Sequence, residues 1–253
     1  MNSTNTHYKT YQAPAQLLKG KVILVTGAGN GIGATAAKTF AQHGATVILA
    51  DRSVSALEQV YDEIIGNGDS QPAIYPIDFK GATPQNYIEL AQTLDKEFGQ
   101  LDGLLHNAAH LGNLAPIELY DAELWFATFQ INIHAPFFLT QACLPLLKSA
   151  NHASIVYTID EVALQSRAYW GAYAASKAAV QNLMQTLSHE LSESTSVRVN
   201  SIDPGIVKTS MRARAFPGED PNSIATADTI MPTYLYVMGD ESLPENGQTF
   251  YAQ

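Results

Sequence analysis

From Lys21 onward, short runs of β-branched and aliphatic residues alternate with helix-length segments, and this alternation limits the fold more than any other feature. Val22-Ile23-Leu24-Val25 is a continuous apolar run between glycines, the pattern of a strand buried on both faces of a parallel sheet. Runs at 47–49, 73–75, 101–105, 155–157 and 197–202 are alike, and helix-length segments at 32–43, 56–65, 84–98, 122–148 and 172–193 lie between them. Such alternation predicts right-handed βαβ crossovers and an α/β fold with a Rossmann-type, doubly wound parallel sheet. No Pro/Gly/Ser-rich linker divides the 253 residues, so one domain is expected over 19–253, preceded by an N-terminal arm over 1–18. Residues 208–232 break the rhythm with Met211, Arg212, Arg214, Phe216, Pro217, Gly218 and Pro221. An irregular stretch of that length is expected to be a substrate loop or, failing that, a surface excursion without function.

Charge and cysteine use exclude several classes. The formal net charge is -10 and no Lys/Arg cluster offsets it, so a phosphate backbone is repelled and nucleic acid is not an expected partner. Cys143 stands alone, which excludes an internal disulfide framework and a Cys-rich metal site and suits a reducing compartment. The polar stretch 1–16 lacks the basic start and apolar core of a signal peptide. No apolar run approaches the ~20 residues needed to span a bilayer. A cytoplasmic protein with no membrane association is the expectation.

Two stretches carry chemistry. The turn Thr26-Gly27-Ala28-Gly29-Asn30-Gly31-Ile32-Gly33 follows the first strand and opens the first helix. Glycines there permit a tight turn and close backbone approach, and the helix start offers N–H groups to a pyrophosphate. The spacing departs from G-x-G-x-x-G, since Ile32 occupies the third glycine's place counted from Gly27. Asp51 ends the second strand, 20 residues after Gly31, where a carboxylate can accept from an adenosine ribose and repel a 2′-phosphate. Arg52 argues the other way, because a guanidinium can pair with that phosphate. The balance favours NAD(H), with NADP(H) as the alternative.

The second stretch is Tyr173-Ala-Ala-Ser-Lys177. Positions i and i+4 share a helix face, and an ammonium beside a phenol favours the phenolate, which predicts a Tyr173 pKa lowered towards neutrality and fit for acid–base work. The same spacing also occurs on solvated helix faces, but the surrounding alanines at 174, 175, 178 and 179 argue against one here.

Thr26-Gly27-x-x-x-Gly31-x-Gly33, Asp78, Asn107-Ala108-Ala109, Asn132, Tyr173-x-x-x-Lys177 and Pro204-Gly205 follow one another in a single order. In this the chain resembles the short-chain dehydrogenase/reductase family over about residues 20–210. The resemblance implies an NAD(P)-dependent oxidoreductase that interconverts a carbonyl and an alcohol as a homodimer or homotetramer. It implies that Gly27, Gly31 and Gly33 hold the pyrophosphate, that Thr26, Asn30 and Ile32 also bind the cofactor, that Asp78 touches the adenine, and that Asn107 lies beside the cofactor. Pro204, Gly205 and Thr209 would lie against the nicotinamide. Tyr173 would move the proton, Lys177 would lower its pKa and bind the nicotinamide ribose, and Asn132 would support a water link to the lysine.

Two positions depart from the family pattern. Ala109 stands where the family has glycine, and Asp160 stands 13 residues before Tyr173, where the family has a serine that polarises the substrate carbonyl. An ionised Asp160 would oppose a developing alkoxide and raise the Tyr173 pKa against the pull of Lys177. Three outcomes are open: a protonated Asp160 that donates, substitution by Thr158, or a cofactor-binding protein with little catalysis that acts as a redox sensor or assembly partner. Ser166 is a further hydroxyl in this region. His106 and His110 straddle a strand end with no third ligand, so no metal is expected. Tyr169, Trp170 and Phe216 fit a substrate pocket near Tyr173 and equally core packing or a subunit contact. Arg212 and Arg214 fit solvated charges better than an anion site. Trp125, Phe126, Phe129, Phe137 and Phe138 fit a core or a subunit interface.

Overall fold

The structure, a computed structural model, describes residues 6–253; the first five positions of the expected arm lie outside the described residues. Seven parallel strands form one sheet in the order β3-β2-β1-β4-β5-β6-β7. They are β1 (Val22–Thr26), β2 (Thr46–Asp51), β3 (Ala73–Pro76), β4 (Gly103–His106), β5 (Ser154–Thr158), β6 (Arg198–Asp203) and β7 (Thr249–Tyr251). The chain order reverses direction across the sheet between β1 and β4. At such a switch point the crossover helices leave on opposite faces and open a crevice at the carboxyl ends of the strands.

Alternation along each strand sends side chains to two separate cores. Ile23 and Val25 pack with Phe40, Leu57, Ile64, Met231, Tyr234 and Val237. These residues come from α1 (Gly31–Gln42), α2 (Val54–Gly66) and α8 (Met231–Met238) on one face. Val22 and Leu24 pack with Leu90, Leu94, Leu139, Leu147, Val180 and Met184. Those belong to α3 (Pro84–Phe98), α5 (Ala135–Ser149) and α6 (Gly171–Ser192) on the other.

The helix expected as one piece over 122–148 is interrupted. α4 (Ala122–Phe129) and α5 are joined by a π-turn over Gln130–His134. The cause is local: Pro136 has no N–H to return to the carbonyl of Asn132 four residues back, and its ring would collide with that carbonyl. Widening the turn relieves the collision.

The 208–232 stretch is also more regular than expected. It begins with α7 (Ser210–Ala215) and ends in α8. A parallel bridge between Val207 and Ala225 closes its base, with the Lys208 amide donating to the Ala225 carbonyl at 2.9 Å.

Residues 7–18 pack onto the domain. Tyr8 meets Phe250 edge-on at 5.0 Å between ring centroids, Leu18 is fully buried, and Lys9 Nζ donates to the Gln253 carbonyl at 2.7 Å. Among the described residues, no helix is long and apolar enough to cross a membrane.

Candidate active site

The carboxyl ends of β1 and β4 are stitched together at the bottom of the crevice. Thr26 Oγ1 donates to the Leu105 carbonyl and accepts from the amides of Asn107 (3.0 Å) and Ala108 (3.1 Å). The Asn107 side-chain amide donates to the carbonyls of Thr26 (3.3 Å) and Gly27 (3.4 Å). This leaves no space over the glycine turn. A Cβ on Gly33 would stand 2.2 Å from the Gly27 carbonyl oxygen and 2.5 Å from Asn107 Nδ2. Gly27 has φ +67°, and a Cβ there would come 2.9 Å from Ala108 Cα. Asn30 caps α1 without a side-chain hydrogen bond, so the first N–H groups of the helix remain available to an anion. A glycine turn pressed against the strand ends, under an uncapped helix start, fits the pyrophosphate of a dinucleotide.

The crevice beyond this turn has a volume of about 1060 Å³ including its open mouth. Gly27, Asn30, Gly31 and Ile32 line one end with Asp51 and Asn107, while Asp160, Tyr173 and Lys177 line the other. Pro204, Gly205 and Thr209 form a side wall. Thr26 and Gly33 lie beneath the lining. Asp78 is exposed and caps its own turn, Oδ1 accepting from the Lys80 amide at 3.1 Å. Arg52 is exposed outside the lining, and Asn132 is buried behind it. Asp51 is committed to local backbone: its carboxylate accepts from Gly29 (3.4 Å) and Ser53 (3.1 Å). Ser53, not Asp51, caps α2.

Tyr173 and Lys177 sit in the first two turns of α6 and are 5% and 4% exposed, so their charges are poorly screened. The Tyr173 hydroxyl donates to Asp160 Oδ2 at 3.3 Å. Lys177 Nζ donates to the Thr158 carbonyl at 2.7 Å and stands 5.7 Å from the Tyr173 ring centroid. The expected lowering of the Tyr173 pKa is not what this arrangement produces. Burial, then the Asp160 carboxylate and more distantly Asp203, hold the phenol well above its ordinary value. The ammonium donates to a main-chain carbonyl, and the phenol donates to an acid. Burial brings the Lys177 pKa down to about 8 against the opposing pull of Asp160 and Asp203.

Asp160 also accepts from the Val162 amide at 3.1 Å and so caps a short 3-10 turn, Glu161–Ala163. The Thr158 hydroxyl is sealed from solvent near the Tyr234 phenol, so it is not presented as a donor in the crevice.

Asn132 bridges the loop after β4 to α6. Its Oδ1 accepts from the His110 amide (2.7 Å), and its Nδ2 donates to the His110 carbonyl (3.0 Å) and to Ser176 Oγ (2.9 Å). Ser176 Oγ in turn donates to the Tyr173 carbonyl at 2.8 Å. The side chain of Asn132 is therefore fully engaged, and Ser176 is a partner not singled out from the sequence. Its position inside Tyr173-Ala-Ala-Ser-Lys177, three residues after Tyr173, was the available signal. His106 is a core residue: it stacks on Tyr157, bonds Thr140 Oγ1 at 2.8 Å, and has its pKa pulled down to about 3 by burial.

The far wall is aromatic. Tyr169, with φ +73°, turns the chain so that Trp170 lines the crevice. Trp170 lies 5.8 Å from Tyr173 and 5.7 Å from Phe216 between ring centroids. Arg212 stacks on Phe216 at 3.7 Å and forms a two-pronged ion pair with Glu219, at 2.6 and 2.7 Å. It is partly exposed but ion-paired, and so is not free for a substrate anion.

A sequence profile of the family described as short chain dehydrogenase matches residues 21–220. The chain is 45% identical over 243 residues to the uncharacterized oxidoreductase YciK of Escherichia coli K12, covering 96% of both chains. It superposes with a TM-score of 0.92 on a Shigella flexneri 2a short chain dehydrogenase complexed with NADP, at 46% identity over 95% of this chain and 100% of that one. A short chain dehydrogenase from Escherichia coli CFT073 complexed with NADPH also matches with a TM-score of 0.92, at 45% identity over 95% and 99% of the two chains.

Proposed function

The chain belongs to the short-chain dehydrogenase family of oxidoreductases, and on that footing we propose that it moves a hydride between NADP(H) and a polar double bond, with the carbonyl/alcohol couple as the parent class. The observation that carries this reading is the convergence, in one crevice, of the glycine turn at one end and the Tyr173–Lys177–Asp160 group at the other. Gly27, Asn30, Gly31 and Ile32 hold the pyrophosphate, Pro204, Gly205 and Thr209 flank the nicotinamide, and Lys177 holds its ribose. When bound, the nicotinamide supplies or accepts the hydride. Tyr173, kept protonated by burial and by its acidic neighbour, is suited to donate a proton in the direction of reduction. Asn132, through His110 and Ser176, keeps the loop after β4 and the start of α6 in register.

NADP(H) is preferred here to the NAD(H) favoured by Asp51 alone. Two relatives carry NADP or NADPH, the Asp51 carboxylate is already engaged by Gly29 and Ser53, and Arg52 makes no ion pair among the described residues, which leaves it to meet a 2′-phosphate. A binder with little catalysis is not favoured, because the proton-transfer pair is intact and its relatives are oxidoreductases. The substrate loop over 208–232, a homodimer or homotetramer and a cytoplasmic location remain parts of this proposal.

The test is Tyr173→Phe. NADPH binding should stay within about threefold of wild type, while oxidation of NADPH by any substrate found in a carbonyl screen should fall at least 100-fold, the lower end for losing a positioned acid. A variant that binds NADPH and keeps full rate would remove Tyr173 from the chemistry.

A further inference from the structure

Asp160 is awkward for a carbonyl. Reducing C=O places negative charge on oxygen, and the group that meets this oxygen beside Tyr173 is a carboxylate. The same carboxylate suits a substrate that arrives positively charged and leaves the hydride-transfer step neutral. The other charged groups near the site do not reverse this preference. Lys177 is bound to the Thr158 carbonyl, and Arg212 is matched by both oxygens of Glu219. Arg214 donates to the Gly112 carbonyl, and Glu161 is paired with Arg167. Asp203, which accepts from the Gly205 amide, adds a second acid behind the single ammonium. Trp170, Phe216 and Met211 also line the crevice; one face of Phe216 already carries the Arg212 guanidinium, and Trp170 offers an aromatic ring to a flat apolar molecule, of a kind that attracts cations.

We propose that the double bond this site serves best is a protonated C=N bond: an iminium ion carried on a flat, apolar framework, paired with Asp160 and seated against Trp170 and Phe216. This rests on the hydride-transfer reading above. The iminium carbon accepts a hydride from the reduced nicotinamide dinucleotide, which is oxidised. A C–H bond forms, the C=N π pair becomes the nitrogen lone pair, and the product is a neutral amine, so no proton is needed in the step. Asp160 enlarges the protonated fraction of a bound imine, and Tyr173, whose hydroxyl points at the same carboxylate, stays a hydrogen-bond donor throughout.

The test compares two bicyclic molecules of similar shape, 3,4-dihydroisoquinoline and 1-tetralone, with NADPH, in wild type and Asp160→Ser. Serine preserves a side-chain cap for the Val162 amide, so the fold is expected to persist. In wild type kcat/KM for the imine should exceed that for the ketone at least 100-fold, and Asp160→Ser should shrink this ratio at least 100-fold. Without nucleotide, quenching of Trp170 fluorescence in a Trp125→Phe background should show N-methyl-3,4-dihydroisoquinolinium binding at least tenfold more tightly than 1-tetralone. Asp160→Ser should abolish that difference. Equal or better use of the ketone, a ratio unchanged by Asp160→Ser, or equal binding of cation and ketone would each overturn the inference. If NADPH binds but neither molecule is reduced, the C=N assignment falls and the cofactor reading stands. If NADPH does not bind, both fall.

Discussion

Gly33→Ala is the sharpest probe of the nucleotide cradle, because the added methyl has nowhere to go. Its Cβ would sit 2.2 Å from the Gly27 carbonyl oxygen and 2.5 Å from Asn107 Nδ2. Both neighbours are fixed: Gly27 by its φ of +67°, Asn107 by bonds to the Thr26 and Gly27 carbonyls. Overpacking a site of this kind costs ~1–3 kcal/mol, and losing the two amide bonds adds ~1 kcal/mol each. Alanine returns ~1 kcal/mol of helix propensity. The net cost is roughly 2–4 kcal/mol, and if it falls on the nucleotide-binding conformation, NADPH affinity drops roughly 30- to 700-fold at ~1.4 kcal/mol per factor of ten. Titration of NADPH fluorescence gives the affinity, and circular dichroism reports whether the fold survives. Gly20→Ala is the control. Gly20 also has positive φ, +76°, but nothing lies within 4 Å of its Cβ position. It should lose only ~1–2 kcal/mol of stability, with NADPH affinity unchanged. If Gly33→Ala bound NADPH within threefold of wild type at an unchanged melting temperature, the close approach of turn and strand ends would not be what shapes the site.

Other perturbations test separate parts of the account. Arg52→Ala should weaken NADPH about 10- to 150-fold, the worth of a charge-assisted bond of ~1.5–3 kcal/mol, and leave NADH within about threefold; equal losses for both nucleotides would contradict the role given to Arg52. The Lys177 pKa is lowered from 10.5 to about 8 in the fold, so between those values the unfolded chain holds a proton that the folded chain has released, and stability rises with pH. Denaturant unfolding at pH 8 and 9.5 should show wild type gaining ~2 kcal/mol relative to Lys177→Met; an absent or opposite change would mean the ammonium is not desolvated. The raised Tyr173 acts in the opposite sense only above about pH 10, where the unfolded phenol begins to ionise. Tyr8→Ala should cost ~3 kcal/mol of stability, as for other buried aromatic rings, and a loss under ~1 kcal/mol would show that the packing of residues 7–18 contributes little.

What was legible in the sequence follows from how local the cause is. Strands β1, β4, β5 and β6 announce themselves as short apolar or β-branched runs because they are buried on both faces, and α3 begins at Pro84 and ends before Gly99 as its punctuation dictates. The π-turn was also written locally, in the four-residue separation of Asn132 and Pro136, although apolar periodicity carries straight through it. α8 was hidden for the opposite reason: Met231-Pro-Thr-Tyr-Leu-Tyr-Val-Met238 is apolar on every side and shows no helical period. β7 is only three residues long at a sheet edge. In the site, residue identities at Tyr173, Lys177 and Asp160 could be read, but the balance among them could not. The expectation that Lys177 tunes Tyr173 downward came from helix spacing, whereas the observed direction depends first on burial of the phenol and then on two acids from other elements, Asp160 and Asp203. The Asn132–His110 bridge is likewise a product of tertiary contact, and the Arg212–Glu219 pairing depends on how the short segment after α7 turns back.

The most direct measurement is calorimetric titration of the protein with NADPH and, separately, NADH. One site per chain, with NADPH bound at least tenfold more tightly, is the predicted result. No binding of either nucleotide, or NADH bound as tightly as NADPH, would contradict it.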